Sequence, residues 1–233
     1  NLMRIIMQAY TVMMVGIGVT MIHAHGGIDF SVGAVLALSE MIAAIVYKRV
    51  GAPVLLIIVA VLVAVGCGLI TGVITVKLRI PPFISSLCMQ FTCRGIVNTV
   101  LQANSIGVTE LSEPGWGVKL AVLIGFGLIV FLILNFTKVG KYNKAIGENI
   151  RAARSSGINV DLYRIAAYVI SGVAVGLAAY FDLLRNGVMS TNVGYGLEMS
   201  VITAVVLGGL SLSGGYTTSM RSAVLGSLLI IMM

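Results

Sequence analysis

Between Arg49 and Lys77 the chain carries no charged side chain, and the same holds between Lys119 and Lys138 and between Arg164 and Asp182. Runs of this kind decide the fold class before any other feature. An α-helix rises about 1.5 Å per residue, so about 20 apolar residues cross the roughly 30 Å hydrocarbon core of a bilayer. No water is available there to pair with the backbone, and a helix satisfies its own N–H and C=O groups. Only 10% of the 233 residues are charged and 58% are hydrophobic. A soluble domain carries about 25% charged residues to meet water. The chain is therefore read as all-α: a polytopic transmembrane helical bundle of roughly seven crossing segments, with residues 1–233 forming a single membrane domain.

The expected spans are 2–24, 31–47, 53–76, 83–103, 118–136 and 165–184, followed by an apolar stretch over 199–210 and a last run after Arg221. Two places depart from simple crossing. His23 to Asp29 interrupts the apolar pattern, and the following run is short. The 199–210 stretch is too short to cross alone, which predicts a broken or re-entrant helix. The chain begins without Met and ends inside an apolar run, so it reads as part of a longer protein. The first run lacks a small-residue cleavage site, and no cleavable signal peptide is expected. No repeat of solenoid period is visible.

The net charge of +7 does not indicate nucleic acid, because the basic residues sit at the ends of apolar runs, where the cytoplasmic loops of membrane proteins place them. The largest group lies between Lys138 and Arg164, so this loop is predicted to be cytoplasmic. Counting spans back puts the 104–117 loop outside and the Lys77–Pro82 turn inside, with Lys48 and Arg49 outside against the rule. Cys67, Cys88 and Cys93 lie within apolar runs and act as small hydrophobes. Gly68 and Gly72, and Gly172 and Gly176, are spaced four apart. This spacing lets helix backbones approach closely in lipid; it serves internal packing or, alternatively, a subunit contact.

Charges inside a membrane are costly and mark candidate function. They are Asp29, Glu40, Arg94, Asp182, Arg185 and Glu198. Asp182 and Arg185 are spaced to pair on one helix. Arg94 is deeper, and Asp29 and Glu40 are its candidate partners. His23 and His25 fall on different helix faces and read as interfacial residues. No Ser-His-acid arrangement is marked, and the phosphate-binding G-x-x-x-x-G-K-[ST] pattern is absent. Leu212-Ser213-Gly214-Gly215 matches the start of an ABC ATPase signature but lies between apolar runs, so this chain is not expected to hydrolyse ATP. In the 138–164 loop, Ile146, Ile150, Ala153 and Gly157 recur at helical spacing, with Lys144, Glu148, Arg151 and Arg154 mostly in other directions. This predicts a short amphipathic helix lying on lipid or docking a cytoplasmic partner.

Several segments in order resemble the permeases of bacterial ABC importers for ribose, other sugars and autoinducer-2, within the branched-chain amino acid and sugar permease superfamily. Gly26-Gly27-Ile28-Asp29-Phe30-Ser31-Val32-Gly33 resembles that family's G-I-D-L-S-V-G motif, with Phe30 in place of Leu. Ile80-Pro81-Pro82-Phe83-Ile84 with Arg94-Gly95, Gly140-Lys141-Tyr142 through Asn149, and Ala204-Val205-Val206-Leu207-Gly208-Gly209 resemble its later blocks. The pattern is looser at Ser200 and short between Arg94 and Gly140.

The resemblance implies a permease subunit with no cofactor of its own, ATP and magnesium being held by a separate ATPase. It implies a cytoplasmic ABC ATPase, a second permease subunit (identical or different) and a periplasmic or lipid-anchored substrate-binding protein as partners, in a bacterial inner membrane. Lys144, Gly147, Glu148, Asn149, Arg151, Ala153, Arg154 and Gly157 would form the ATPase-coupling element. Gly27, Asp29, Ser31, Gly33, Arg94, Glu198, Gly208 and Gly209 would form the pathway or its structural motifs. With few fixed polar groups along the spans, specificity is expected to reside in the binding protein. The alternative is a secondary transporter with a broken-helix site.

Overall fold

The computed structural model describes residues 2–211 and 213–232, with side chains from residue 9 onward. Among them the chain forms ten α-helices: α1 (Leu2–Ala24), α2 (Val32–Val50), α3 (Val54–Lys77), α4 (Pro82–Leu101), α5 (Trp116–Phe136), α6 (Lys138–Glu148), α7 (Ile150–Ser155), α8 (Val160–Asn186), α9 (Leu197–Leu207) and α10 (Met220–Met232). A two-residue antiparallel pairing, β1 (Ile106–Gly107) with β2 (Val188–Met189), ties two loops at one end of the bundle. The opposite end carries α6 and α7 and is called the basic end below. The all-α membrane fold is as the apolar runs require, and α3, α5 and α8 are each long and apolar enough to cross a bilayer.

Helix α8 is the axis of the bundle. Its apolar stretch is 72% buried, against 28% for α3 and 33% for α5. It packs chiefly against α3 and α1, and small residues make both contacts. A Cβ on Gly68 of α3 would lie 2.6 Å from the Tyr168 carbonyl oxygen, one on Gly172 would lie 2.7 Å from the Ala64 carbonyl oxygen, and one on Gly176 would lie 2.5 Å from the Val61 Cα. On α1, Gly18 meets Ala174 and the Ser171 backbone just as closely. The four-residue glycine spacing therefore serves internal packing: lipid supplies no hydrophobic force between helices, and close backbone approach maximises dispersion contact. Hydroxyls inside the bundle bond back to their own helices, Thr71 to the Cys67 carbonyl and Ser39 to that of Val35.

Two stretches of irregular backbone interrupt the bundle. Residues 25–31 separate α1 from α2, and residues 190–196 precede α9. The two are related by inversion. Helix α1 runs toward the basic end and α2 returns, whereas α8 runs away from it and α9 returns. Helix α3 packs on α8 as α10 packs on α1, and α2 packs on α3 as α9 packs on α10. The sequence carries the same relation: Gly27-Ile28-Asp29-Phe30-Ser31-Val32 matches Gly196-Leu197-Glu198-Met199-Ser200-Val201 as Gly, apolar, acid, apolar, Ser, Val. Reading for fixed periods missed this repeat because it is short, divergent and inverted. The short apolar stretch expected over 199–210 falls in α9, an 11-residue helix.

Two further expectations change. The 138–164 segment is not one amphipathic helix. It is α6 and α7, broken at Asn149, whose backbone is extended. Ile146 and Ala153 are buried with Val160 in a small cluster apart from the main core, while Ile150 is exposed and Gly157 sits in a left-handed turn at φ 80. At the other end, Lys48 pairs with Glu110 at 2.9 Å, and Lys119 with Glu113. Of the basic pair that ran against the orientation rule, Lys48 is thus locally offset by an acidic residue.

Replacing Gly172 by Leu sets a side chain against backbone of α3 that cannot yield, and overpacking of this kind costs about 1–3 kcal/mol. Gly172→Leu is expected to lower the thermal midpoint in detergent. Gly66→Ala, which meets nothing within 4 Å, is expected to leave it unchanged. Equal midpoints for the two variants would show that α3–α8 contact is not limiting.

Candidate functional site

Buried polar groups gather on and beside the two irregular stretches. Asp29 is buried at the start of α2, where its carboxylate accepts hydrogen bonds from the Ser31 N–H (2.8 Å) and hydroxyl (2.6 Å). A carboxylate here satisfies otherwise unpaired N–H groups and complements the helix dipole. Gly27 and Gly33 allow close approach: a Cβ on Gly27 would strike the His25 ring and Ile22, and one on Gly33 would strike the Gly194 carbonyl oxygen and the Glu198 carboxylate. Gly33, in the first turn of α2, touches Gly194 of the second stretch.

Helix α4 holds the second stretch in place. The Arg94 Nη1 donates to the Val193 carbonyl at 2.6 Å, and the guanidinium lies 4.0 Å from the centre of the Tyr195 ring. One turn earlier, the Gln90 amide donates to Glu198 at 3.2 Å. At 1.5 Å per residue, Gln90 and Arg94 stand about 12 and 18 Å along α4 from Pro82, near the middle of this 20-residue helix. Arg94 does not pair with Asp29 or Glu40, as its depth had led us to expect. Its partners are a carbonyl and an aromatic ring supplied by the second stretch. Glu40 is fully buried on α2 and faces Asp182 of α8. Asp182 pairs with Arg185 at 2.6 Å, as the spacing predicts, and also accepts from Thr11 and Asn186.

At the basic end, three chain segments meet through backbone. Gly215 N–H donates to the Ala24 carbonyl at 3.0 Å, and Tyr216 N–H donates to the Glu148 carboxylate at 2.8 Å. A Cβ on Gly147 would collide with both the Ala24 oxygen and the Gly215 nitrogen. Gly147 and Glu148 therefore end α6 directly against the last turn of α1 and the loop that leads into α10. Asn149 then starts α7 by accepting from the Arg151 and Ala152 N–H groups at 3.0 Å. Arg151 and Arg154 are exposed on that short helix, Arg154 lying 3.6 Å from Asp161. Ala153 points inward.

Lys144 is only 9% exposed and donates to the Asn135 side chain at 3.1 Å. Burial pushes its ammonium below the usual lysine range. Gly208 packs against Ser222 of α10 with no room for a side chain, and Gly209 occupies a left-handed turn at φ 88. Of the sixteen expected site residues, Gly33, Arg94 and Glu198 thus converge at mid-bundle. Gly27, Asp29 and Ser31 shape the break beside them. Gly147 and Glu148 form the basic-end junction, Asn149, Arg151, Ala153, Arg154 and Gly157 follow on and after α7, and Lys144 reaches Asn135 instead, while Gly208 and Gly209 shape the α9–α10 turn. Gln90, Tyr195 and Tyr216 were not singled out. The repeated Gly-apolar-acid-apolar-Ser-Val pattern is the signal that would have drawn attention to the neighbours of Glu198. Leu212 of the ATPase-like tetrapeptide lies outside the described residues. Among the described residues, no three His, Cys, Asp or Glu side chains converge as a metal site requires.

Irregular backbone is tolerated at membrane depth only where protein covers it or where it lines a water-filled space. Tyr195 is 58% exposed, and Gly196 beside it is exposed too. This face, between α4 and α9, is therefore not a lipid surface. Fold and site together define a helical membrane protein whose broken helices bring a polar seam to an open face at mid-bundle.

The family model described as branched-chain amino acid transport system / permease component matches residues 1–233, and the chain belongs to that family. It is 38% identical to the ribose import permease protein RbsC of Escherichia coli (strain K12), over 92% of this chain and 71% of the relative. It is 33% identical to the galactofuranose transporter permease protein YtfT of the same organism, over 97% of this chain and 69% of the relative. It is also 33% identical to that organism's D-allose transport system permease protein AlsC, over 99% and 73%. No solved structure matches the chain.

Arg94→Ala removes both the carbonyl bond and the ring contact that fix residues 190–196. The expected result is at least tenfold faster amide hydrogen exchange at Val193 to Gly196, with helix α8 unaffected. Exchange unchanged from the parent would mean that Arg94 does not hold this stretch.

Proposed function

We propose that this chain is the permease subunit of an ATP-driven importer of a sugar or sugar-like solute, working with a separate cytoplasmic ATPase, a second permease subunit and an external binding protein. The relatives' names, which speak of ribose, galactofuranose and allose, support the solute class. The mid-bundle seam suits it chemically. Arg94 Nε and Nη2 and Glu198 Oε2 are buried without hydrogen-bond partners behind the exposed Tyr195 ring, so that opening of the seam would present donors and an acceptor to hydroxyl groups. The basic end is read as cytoplasmic from its lysines and arginines, which makes the protein multi-pass in a bacterial inner membrane.

One observation carries the link to ATP: the basic-end junction. Helix α7 stands outside the bundle on its own small cluster, and through Gly147 and Glu148 it abuts the last turn of α1 and the loop before α10. Those two segments lead to the 25–31 stretch and to α9. An ATPase gripping the exposed Arg151 and Arg154 would therefore move both broken segments at once. A ligand shifts such an equilibrium only by binding one state better than the other. The closed ATPase dimer supplies that preference on one side and the loaded binding protein supplies it on the other.

Inverted repeats with broken helices also occur in secondary transporters, so the energy source is the point to test. Arg151→Glu is expected to reduce co-purification of the ATPase at least tenfold. Gly147→Trp is expected to abolish solute uptake in reconstituted vesicles. Uptake by the parent should require ATP and persist when ion gradients are collapsed. Uptake that follows an ion gradient and ignores ATP would overturn the proposal.

A further inference from the structure

Away from the seam, α1, α5 and α10 enclose an apolar groove lined by Ile17, Leu123, Gly127, Phe131, Met220 and Leu228, among others. Along α5 and α10 it extends for about 12–16 Å, close to the roughly 15 Å of one leaflet's hydrocarbon. At the basic end the groove opens into a polar pocket, and Phe131 and Met220 line both. The pocket holds Asn135, Lys144, Thr218 and Arg221, and no acidic residue lines it. Among the described residues neither Lys144 nor Arg221 forms an ion pair with a carboxylate.

Thr218 is 2% exposed and its hydroxyl has no hydrogen-bond partner. A buried hydroxyl left unpaired is destabilising, and a ligand in the pocket would supply its partner. The pocket also lies at the first turn of α10, a 13-residue helix, where the helix dipole favours an anion; the Arg221 N–H there donates to the Ser219 hydroxyl at 3.3 Å.

We propose that this face binds an anionic phospholipid, with the phosphate between Lys144, Thr218 and Arg221 at the start of α10 and one acyl chain along the α1–α5–α10 groove. The continuity of the two parts selects the ligand. A soluble anion would use the pocket and leave the groove empty. A covering helix would fill the groove and leave two cations and a hydroxyl unmatched. An amphiphile with a negative head matches both. Basic pockets between membrane helices at a cytoplasmic surface, where anionic lipids are enriched, are a recognised form of such a site.

The test uses the full chain purified in mild detergent and delipidated, then titrated with phosphatidylglycerol, phosphatidylcholine of the same acyl chains, or inorganic phosphate, with bound lipid counted by native mass spectrometry. Phosphatidylglycerol is expected to be retained at least fivefold more strongly than phosphatidylcholine and not to be displaced by millimolar phosphate. Two variants separate the parts of the site. Thr218→Val keeps the side-chain shape and removes only the hydroxyl. Gly127→Leu projects into the groove, since a Cβ there meets only the Ile17 and Met220 side-chain ends at 3.6 and 3.7 Å. Each is expected to lower phosphatidylglycerol retention at least threefold, with a thermal midpoint near that of the lipid-free parent. Equal retention of the two lipids overturns the proposal, as does displacement by phosphate, which would mark a soluble-anion site. Full retention by both variants overturns it as well, and so does an Ile124→Cys variant that cross-links to another protein segment in place of lipid.

Discussion

Contact between backbones, unmediated by side chains, is what this bundle depends on. In water a helix pair is held together by removing apolar surface from solvent. In lipid that force vanishes, and only closeness of approach separates a packed pair from two helices wandering apart. Helix α8 achieves this on two sides: Gly68, Gly172 and Gly176 on the α3 side, and Gly18 facing Ala174 on the α1 side. With α8 fixed between them, α2, α9 and α10 are positioned by what they pack on, and the irregular stretches have walls on which to rest.

Those stretches are the costly elements. Unpaired backbone at membrane depth carries a penalty of several kcal/mol per group, so each is supported by specific partners. Residues 25–31 are stabilised by the Asp29 carboxylate and by Ser86, whose hydroxyl accepts from the Phe30 N–H at 3.1 Å. Residues 190–196 are stabilised by Arg94. The outer part of the bundle has a similar polar knot, Asp182 with Arg185, Thr11 and Asn186. None of these charges is left to lipid, which is why so charge-poor a chain can contain six of them within its spans.

What could be read from the residues was whatever depends on local order. The apolar runs, the glycine spacing, the Asp182–Arg185 pair and the short apolar helix all follow from spacing along one chain segment. What escaped depended on distant segments meeting. Arg94 pairs with a carbonyl 99 residues away, and no pattern of side chains announces a backbone acceptor. The break at Asn149 was hidden because Ile146 and Ala153, seven apart, fit a continuous helix as well as two helices closing on Val160. The inverted repeat escaped because its two copies share only a Gly, an acid, a Ser and a Val, in a chain where apolar residues match one another everywhere.

The junction of Gly147, Ala24 and Gly215 has a mechanical implication. Side chains can absorb a push by changing rotamer, so a joint built from them has play. Peptide planes in van der Waals contact have none. A displacement of the end of α6 toward this contact presses directly on the backbone of α1 and of the loop before α10. Where Gly147, Ala24 and Gly215 meet, no side chain separates the backbones and that contact has no slack of its own, while the Glu148 carboxylate, which accepts from the Tyr216 N–H, ties the same segments together.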